Sequence, residues 1–593
     1  MPVDAEGYAF SPDGKRVLVG SDESGVYNVH AFNVSTGEST ALTESTTNAV
    51  FPVSYFPSDA RILYTFDEGG TELNHLYVRE QDGKSRDLTP GDGVKARFLG
   101  WHEAGTAFWV GTTELDGRNF DLYRYDAKDY SRELLFRNEA GYSPAAVSDD
   151  GRWLALHKPR TSADADIYLQ DLTNDAPPAL ITEHEGNVSH AVTTFTRQND
   201  ALHYLTDEFG EFAQAWSHQL ATGKKSLVLE AQWDVSYVAV SQTGRYRVDG
   251  INADALTRVT VRDIRDGQPV ALRELPAGNI KNVRFSLDDA RMAFFIDADT
   301  QPNNLFVANL DTGAARQYTQ ALNPEIDPNA LTEVTSVRYP SFDGREIPAV
   351  LYRPHQASAA SPVPAVVFVH GGPGGQTRRG YYAMFQHLVN HGYAVLGANN
   401  RGSSGYGKTF FHLDDKRDGE GDLNDIVWSR KYLEGLDWVD GERIGVMGGS
   451  YGGYMTAAAM TFRPDAFEVG IDIFGVTNWV RTLESIPPWW ESFKVALYDE
   501  MGDPATDAER HRRISPLFHA QKIERPMLVV QGANDPRVLK VESDELVEAM
   551  RNNDVPVEYL VFDDEGHGFA RRENKIAASE VYVSFLDRYL SKK

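Results

Sequence analysis

The chain has 593 residues, too many for one ordinary hydrophobic core, which predicts at least two domains. Hydrophobic residues make up 41% and charged residues 24%, a composition typical of folded globular proteins. The formal net charge of −28, from 86 acidic and 58 basic residues, would repel a phosphate backbone and argues against nucleic acid as a partner. Because the sequence has no cysteine, disulfides, thiolate metal ligands and cysteine nucleophiles are excluded.

No stretch approaches the roughly 20 consecutive apolar residues that a membrane-spanning helix needs, so we expect no membrane partner. The first ten residues, MPVDAEGYAF, lack the basic head and apolar stretch of a secretory signal. These features predict a cytoplasmic location, and the absence of cysteine fits a reducing compartment. The sequence is compatible with a homo-oligomer as well as with a monomer.

A self-similar unit runs through the first half of the chain. Each copy opens with a turn followed by an apolar run, as in FSPDGKRVLVG at residues 10–20 and AVSDDGRWLAL at residues 146–156. The equivalent turn positions are spaced 44–49 residues apart and are Gly14, Ala60, Gly105, Gly151, Asp200, Gly244 and Ala290. A period of this length, with alternating β-branched and aromatic residues between turns, is typical of a propeller blade. The sequence therefore predicts a β-propeller of about seven blades.

The second half alternates short apolar runs with helical segments. A hairpin is predicted at residues 334–340 and 346–352, and a closing helix at residues 575–593. Between them, continuous apolar runs suit strands buried on both faces, at residues 365–370, 394–399, 444–449, 469–475, 527–532 and 558–563. This pattern predicts a parallel sheet with helices on both faces. We therefore predict a propeller domain at residues 1–325 and an α/β-hydrolase domain at residues 326–593.

The segment GGSYG at residues 448–452 is a G-x-S-x-G motif, placed between an apolar strand and an Ala-rich helical stretch. In that context the motif holds a serine on a strained strand-to-helix turn, where its hydroxyl stands above the sheet. The helix that follows favours negative charge developing at its N-terminus. Ser450 is therefore the predicted nucleophile.

A serine nucleophile needs a base and an acid that orients the base, and in this fold they follow the serine in the order acid, then histidine. Asp535 comes just after the run MLVVQG, and His567 comes just after EYLVFD. Both positions are at the carboxyl ends of predicted parallel strands, where the sites of open α/β sheets gather. Asp535 and His567 are the predicted partners of Ser450. Four other acids are less well placed: Asp472, Asp563, Asp564 and Glu565.

An oxyanion hole is predicted from two backbone N–H groups. The turn HGGP at residues 370–373 follows the first central strand and should expose a backbone N–H group to the carbonyl under attack. The second donor should be the N–H of Tyr451, the residue after the nucleophile.

Five segments, VHGGPGG, NNRGSSGYG, GGSYGGYM, QGANDPRV and DEGHGF, occur in the same order as in the prolyl oligopeptidase family of serine peptidases. The chain resembles that family over its whole length, and particularly its acylaminoacyl-peptidase branch. The resemblance implies cleavage of short peptides through an acyl-enzyme, with the propeller limiting access. It implies no metal and no organic cofactor.

The resemblance also implies roles for residues around the triad, and Gly372 and Tyr451 match the oxyanion donors of the family. Arg537 matches an arginine that holds a substrate carbonyl, and Val538 matches a wall of the pocket for the residue before the cleaved bond. Trp479 resembles an aromatic residue of that pocket, to which Trp489 and Trp490 align only loosely.

Three alternatives stay open at this stage. The sequence has no Glu-Glu dipeptide, so the paired carboxylates that grip a free amino terminus in the dipeptidyl-peptidase branch are not evident, although single acids from separate blades could replace them. A carboxylesterase would use the same triad. A binding protein with an inactive hydrolase domain is the alternative outside enzymes, and the intact motifs argue against it.

Overall fold

A computed structural model describes residues 6–591. Seven antiparallel sheets follow one another in chain order and form the blades of a propeller, as the repeat predicts. The strands of blades 1 to 3 are β1 (Arg16–Ser21), β2 (Asn28–Asn33) and β3 (Ser39–Ala41); β4 (Phe51–Tyr55), β5 (Ile62–Phe66), β6 (His75–Arg79) and β7 (Ser85–Asp87); β8 (Ala96–Trp101), β9 (Ala107–Thr112), β10 (Asp121–Asp126) and β11 (Arg132–Phe136). Blades 4 and 5 contain β12 (Ser143–Val147), β13 (Trp153–Pro159), β14 (Ala165–Asp171) and β15 (Ala179–Leu180); β16 (His190–Phe195), β17 (Ala201–Thr206), β18 (Gln214–Gln219) and β19 (Lys225–Leu229). Blades 6 and 7 contain β20 (Asp234–Val240), β21 (Tyr246–Ala253) and β22 (Leu256–Asp263); β23 (Asn279–Phe285), β24 (Arg291–Ala298), β25 (Gln301–Asn309) and β26 (Ala315–Gln317).

The propeller ring closes by packing between blades 1 and 7. Within the described residues each of these blades is built from its own stretch of chain, so the two ends exchange no strand. Val17 of blade 1 packs in one hydrophobic cluster with Ala293 and Leu305 of blade 7. Arg316 of blade 7 donates from Nη1 to the carbonyl oxygen of Ser35 over 2.9 Å.

A second, eight-stranded sheet follows the propeller. Its strands are β27 (Val334–Pro340), β28 (Glu346–Tyr352), β29 (Val363–Val369), β30 (Ala394–Ala398), β31 (Val439–Gly449), β32 (Gly470–Ile473), β33 (Met527–Gly532) and β34 (Val557–Phe562). They lie in the order β27-β28-β30-β29-β31-β32-β33-β34, and all neighbours from β30 onward in that order are parallel. The predicted hairpin and each predicted buried run are therefore strands of one sheet.

Helices cover both faces of this sheet. They are α1 (Ala383–Asn390), α2 (Lys408–Phe411), α3 (Gly421–Glu434), α4 (Tyr451–Phe462), α5 (Trp479–Glu484), α6 (Glu491–Met501), α7 (Ala508–Ile514), α8 (Lys540–Asn552) and α9 (Arg572–Leu590). One core cluster joins the sheet to α3, α4 and α8, and another joins it to α1 and α9. The fold is thus a seven-bladed propeller followed by an α/β-hydrolase domain, as predicted.

The remaining structural predictions concern boundaries. The closing helix begins at Arg572, three residues before its predicted start, and the last two residues of its predicted range lie outside the described residues. The predicted domain boundary at residues 325 and 326 falls between β26 and β27 and stays a prediction. No helix within residues 6–591 has the length and apolar character needed to cross a bilayer.

Candidate active site

The strand-to-helix turn at Ser450 has the strained backbone that its motif predicts. Ser450 follows β31 and precedes α4. Its backbone has φ 60° and ψ −121°, a conformation that residues other than glycine seldom adopt. The Ser450 N–H donates to the carbonyl oxygen of Ile473 over 3.0 Å and so holds the turn in place. Glycine is required beside it, because a Cβ at Gly452 would lie 2.0 Å from the carbonyl oxygen of Val369. The packing therefore fixes the serine at the carboxyl edge of the sheet.

Three predicted side chains meet at this edge. His567 Nε2 lies 2.9 Å from Ser450 Oγ, and His567 Nδ1 lies 2.7 Å from Asp535 Oδ2. Asp535 follows β33 and His567 follows β34, so parallel strands deliver both loops to the same side as Ser450. The imidazole is thus within hydrogen-bond reach of a hydroxyl on one side and a buried carboxylate on the other.

The Asp535 carboxylate is fixed by its own loop. Its Oδ1 accepts hydrogen bonds from the N–H groups of Arg537 and Val538, over 2.8 and 2.9 Å. The side chain is fully buried, so the pair with His567 is shielded from water. These contacts leave Oδ2 aimed at the imidazole.

The rival acids have other partners. Glu565 accepts from the N–H groups of Ala570 and Arg571, and Asp564 pairs with the Arg571 guanidinium. Asp472 lies in β32 and accepts from the Gly475 N–H over 2.8 Å. Burial raises the pKa of Asp472 to about 7, although the hydrogen bond from the Gly475 N–H acts to lower it. The Asp563 side chain is exposed, and its backbone carbonyl accepts a hydrogen bond from the Asn534 side chain.

The turn predicted to carry one oxyanion donor passes beside the serine, and Tyr451, the other predicted donor, directly follows it in sequence. A Cβ built on Gly371 would lie 3.5 Å from the Ser450 Cβ, so the turn that also contains Gly372 runs directly past the nucleophile. Tyr451 is the first residue of α4, so its N–H is among the four amides that a helix leaves without an intrahelical acceptor. His370 anchors the turn from below, with Nε2 2.8 Å from Ser403 Oγ.

A cavity of about 800 Å³ lies between the propeller and the hydrolase domain. Arg537, Trp489 and Trp490 line it from the hydrolase side, and residues of blades 2, 3, 4 and 7 line it from the propeller side. Glu72 is the single acid among the described lining residues. Since the Arg537 N–H also holds Asp535, the cavity adjoins the loop that carries the triad acid.

One propeller loop is packed against two loops of the triad. It runs from residue 67 to residue 74, between β5 and β6, and Asn534 donates to its Gly69 carbonyl over 2.9 Å. A Cβ at Gly70 would lie 2.3 Å from the N atom of Gly566, next to His567. Glu72 comes two residues later, with φ 63°, and its Oε1 accepts from Arg537 Nε over 2.6 Å. The loop therefore presents a carboxylate at the edge of the triad.

Comparisons with known proteins agree with this architecture. The family model described as prolyl oligopeptidase family matches residues 380–593, and the model of the prolyl oligopeptidase N-terminal β-propeller domain matches residues 41–321. Dipeptidyl aminopeptidase BIII of Pseudoxanthomonas mexicana is 34% identical over 609 residues, which cover 98% of this chain and 86% of that protein. The chain belongs to the prolyl oligopeptidase family. It is a serine peptidase of that family, as its motifs predict.

More distant members of the prolyl oligopeptidase family align over similar lengths. Dipeptidyl peptidase family member 6 of Caenorhabditis elegans is 24% identical and covers 98% of this chain and 84% of that protein. A solved puromycin hydrolase superposes with a TM-score of 0.84 at 20% identity, covering all of this chain and 95% of that one. At that identity the superposition shows the shared fold.

The residues predicted for the substrate pocket divide into two groups. Arg537 faces the cavity, where its guanidinium stacks 5.1 Å above the Trp490 ring. Trp479 and Val538 are both 3% exposed, pack in the core cluster and do not line that cavity. Their contacts with substrate stay predictions. The sequence does not predict Glu72 as a site residue. No motif marks it, and it reaches the site only because its loop in blade 2 packs against the hydrolase domain.

Proposed function

We propose that Ser450 is the nucleophile of this peptidase, His567 its general base and Asp535 the acid that orients the imidazole. The observation that carries this proposal is the continuous line of two hydrogen bonds, 2.9 and 2.7 Å long, through the His567 ring. In this mechanism His567 takes the Ser450 proton as Oγ attacks the carbonyl carbon. Asp535 holds the tautomer in which Nε2 is the acceptor.

The N–H groups of Gly372 and Tyr451 stabilise the oxyanion in this proposal. The tetrahedral intermediate collapses when His567 protonates the leaving amine, which gives an acyl-enzyme on Ser450. Water, deprotonated by His567, then attacks the ester and releases the new carboxyl end. Loss of one oxyanion donor typically costs about 3–4 kcal/mol of transition-state stabilisation.

The proposed substrates are short peptides. The 800 Å³ cavity is lined by propeller and hydrolase residues together, and its volume suits an extended segment of a few residues rather than a folded protein. The Arg537 guanidinium is placed to donate to a substrate carbonyl, and the Trp490 ring beneath it keeps it oriented. A carboxylesterase with the same triad is the alternative, and a cytoplasmic location is part of the proposal.

A second candidate function is release of dipeptides or similar short pieces from a free amino terminus. The observation that favours it is Glu72, a carboxylate that reaches the triad edge from a single blade. Such a carboxylate can bind an ammonium group by charge-assisted hydrogen bonds and so fix how many residues lie between the amine and Ser450. The name of the 34% identical relative, dipeptidyl aminopeptidase, agrees with this reading.

A peptide library tests both candidates. Each peptide is made with a free and with an acetylated amino end, and as an amide and an ester at the bond under test, and products are read by mass spectrometry. The proposal predicts cleavage of amide bonds in short peptides and loss of that cleavage in Ser450→Ala. Preference for free ends supports the amine-reading role of Glu72, and preference for acetylated ends supports the acylaminoacyl-peptidase alternative. Turnover of esters without any amide cleavage would contradict the peptidase assignment of this site.

A further inference from the structure

Three buried carboxylates converge beside the helix that follows Ser450. Asp414, Asp418 and Asp422 each contribute an oxygen, and these oxygens lie within 4.8 Å of one another. Asp418 and Asp422 are completely buried, and Asp414 is 3% exposed. The three residues are spaced by four positions along the segment that connects α2 to the first turn of α3. We call them the aspartate cluster.

The aspartate cluster has little positive charge around it. Among residues 6–591 its ion pairs amount to one contact, from Arg510 Nη2 to Asp418 Oδ2 over 3.5 Å. The N–H groups of Gly419 and Leu423 donate to Asp422. Three ionised carboxylates this close and this dry would still repel one another, and a bound cation would offset that repulsion.

A hydroxyl without a well-formed hydrogen bond lies against the same place. Tyr454 is completely buried in α4, and its Oη lies beside the Trp479 indole without making a hydrogen bond of normal geometry among the described residues. A Cβ built on Gly419, the residue after Asp418, would lie 2.0 Å from this Oη, so the hydroxyl ends against the turn of the cluster. A buried hydroxyl without a well-formed hydrogen bond is costly and is rare in folded proteins. The Tyr454 hydroxyl is thus a fourth oxygen available to a ligand.

We propose that the aspartate cluster binds a hard divalent cation, Ca²⁺ or Mg²⁺, with the Tyr454 hydroxyl as a further oxygen ligand. All the available donors are oxygen, which these cations prefer, and neither nitrogen nor sulfur is offered. Two ligands on opposite sides of Ca²⁺ lie about 4.6–5.2 Å apart, and those of Mg²⁺ about 4.0–4.2 Å apart, so the 4.8 Å limit accommodates either ion.

The site would be joined to the catalytic turn by one phenol. The Tyr451 hydroxyl donates to Asp422 Oδ2 over 2.5 Å and lies 3.2 Å from Asp418 Oδ1. Tyr451 is also the residue directly after Ser450. A cation bound by these carboxylates would therefore stiffen the first turn of α4.

Binding of Ca²⁺ and of Mg²⁺ to the full chain tests the proposal. The protein is stripped with a chelator and titrated with each ion by calorimetry, in high NaCl so that loose condensation on the −28 net charge is suppressed. The expected result is one tight equivalent per chain and a higher melting temperature with the preferred ion. Asp418→Asn should weaken that binding at least tenfold. The matched control is Asp499→Asn, which removes one charge from an exposed side chain paired with Lys416, outside the aspartate cluster.

A second measurement does not depend on how a variant folds. Tb³⁺, a luminescent substitute for Ca²⁺, should emit when the neighbouring tyrosines of the wild-type protein are excited, and Ca²⁺ should displace it. Asp499→Asn should retain this emission, and Asp414→Asn should lose it. The proposal is overturned if the stripped wild-type chain takes up neither ion and gives no sensitised emission, since the acids then simply hold protons. It is also overturned if Asp414→Asn and Asp418→Asn, both folded, bind like wild type.

Discussion

Arg537 Nε lies 2.6 Å from Glu72 Oε1, so a guanidinium of the hydrolase domain is paired with a carboxylate of the propeller. The Glu72 side chain is 19% exposed and that of Arg537 is 41% exposed, which leaves both accessible from the cavity. Lys95 Nζ lies 3.7 Å from the other Glu72 oxygen. A substrate ammonium could therefore join this carboxylate while Arg537 turns to a peptide carbonyl.

Glu72→Gln should reduce activity on peptides with a free amino end more than on acetylated ones. A charge-assisted hydrogen bond contributes about 1.5–3 kcal/mol, so kcat/KM for free-ended peptides should fall about 10- to 100-fold. The control is Glu68→Gln, an exposed acid in the same loop. Parallel losses on both kinds of peptide would show that Glu72 positions Arg537 rather than reading the amine.

Asp535→Asn should leave the fold intact and lower kcat by about 10⁴, because an amide no longer enforces the productive imidazole tautomer. Single-turnover rates and circular dichroism measure the two effects separately. Asp563→Asn, in the loop of His567, is the matched control and should change kcat less than about twofold, since surface substitutions are usually nearly neutral. If the Asp563 variant lost more activity than the Asp535 variant, the acid would have been assigned wrongly.

Relative to wild type, Asp472→Asn should have a higher free energy of unfolding at high pH than at low pH. With a folded pKa of about 7, against 3.8 for the ordinary carboxyl, the folded state holds the extra proton between these values. The free energy of unfolding of the wild type therefore falls as pH rises through that window, by a total on the order of 2–4 kcal/mol. The asparagine variant lacks this loss. Denaturant midpoints at pH 5 and pH 8 measure it. An equal effect of the substitution at both pH values would mean that Asp472 is ionised throughout.

The fold and the meeting of Ser450, Asp535 and His567 could be predicted from sequence because local patterns determine them. The turn spacing that begins at Gly14 requires repeated hairpins, and a serine in GGSYG is useful only on a strand-to-helix turn. The parallel order of the strands then brings Asp535 and His567 to the same edge, although they are distant in sequence. Each of these inferences depends only on whether an element is a strand or a helix and on where that element ends, and short motifs indicate both.

Glu72 and the aspartate cluster could not be predicted in this way. Glu72 reaches the site because two glycines let its loop pack against Asn534 and Gly566, and that docking of two domains leaves no local pattern. The pocket role of Trp479 is implied only by the family resemblance and stays a prediction, and its ring centroid lies 5.1 Å from that of Tyr454 in the core. The acids from Asp414 to Asp422 have a visible four-residue spacing, but their burial together depends on how α3 meets α4.

The most direct test of the central claim is mass spectrometry of the chain after reaction with a fluorophosphonate, which modifies only an activated serine. The account predicts one phosphonyl group per folded chain, on the peptide that contains Ser450, and labelling slowed by a factor on the order of 10³ or more in His567→Ala. An adduct on a different serine, or labelling of Ser450 at the wild-type rate without His567, would contradict it.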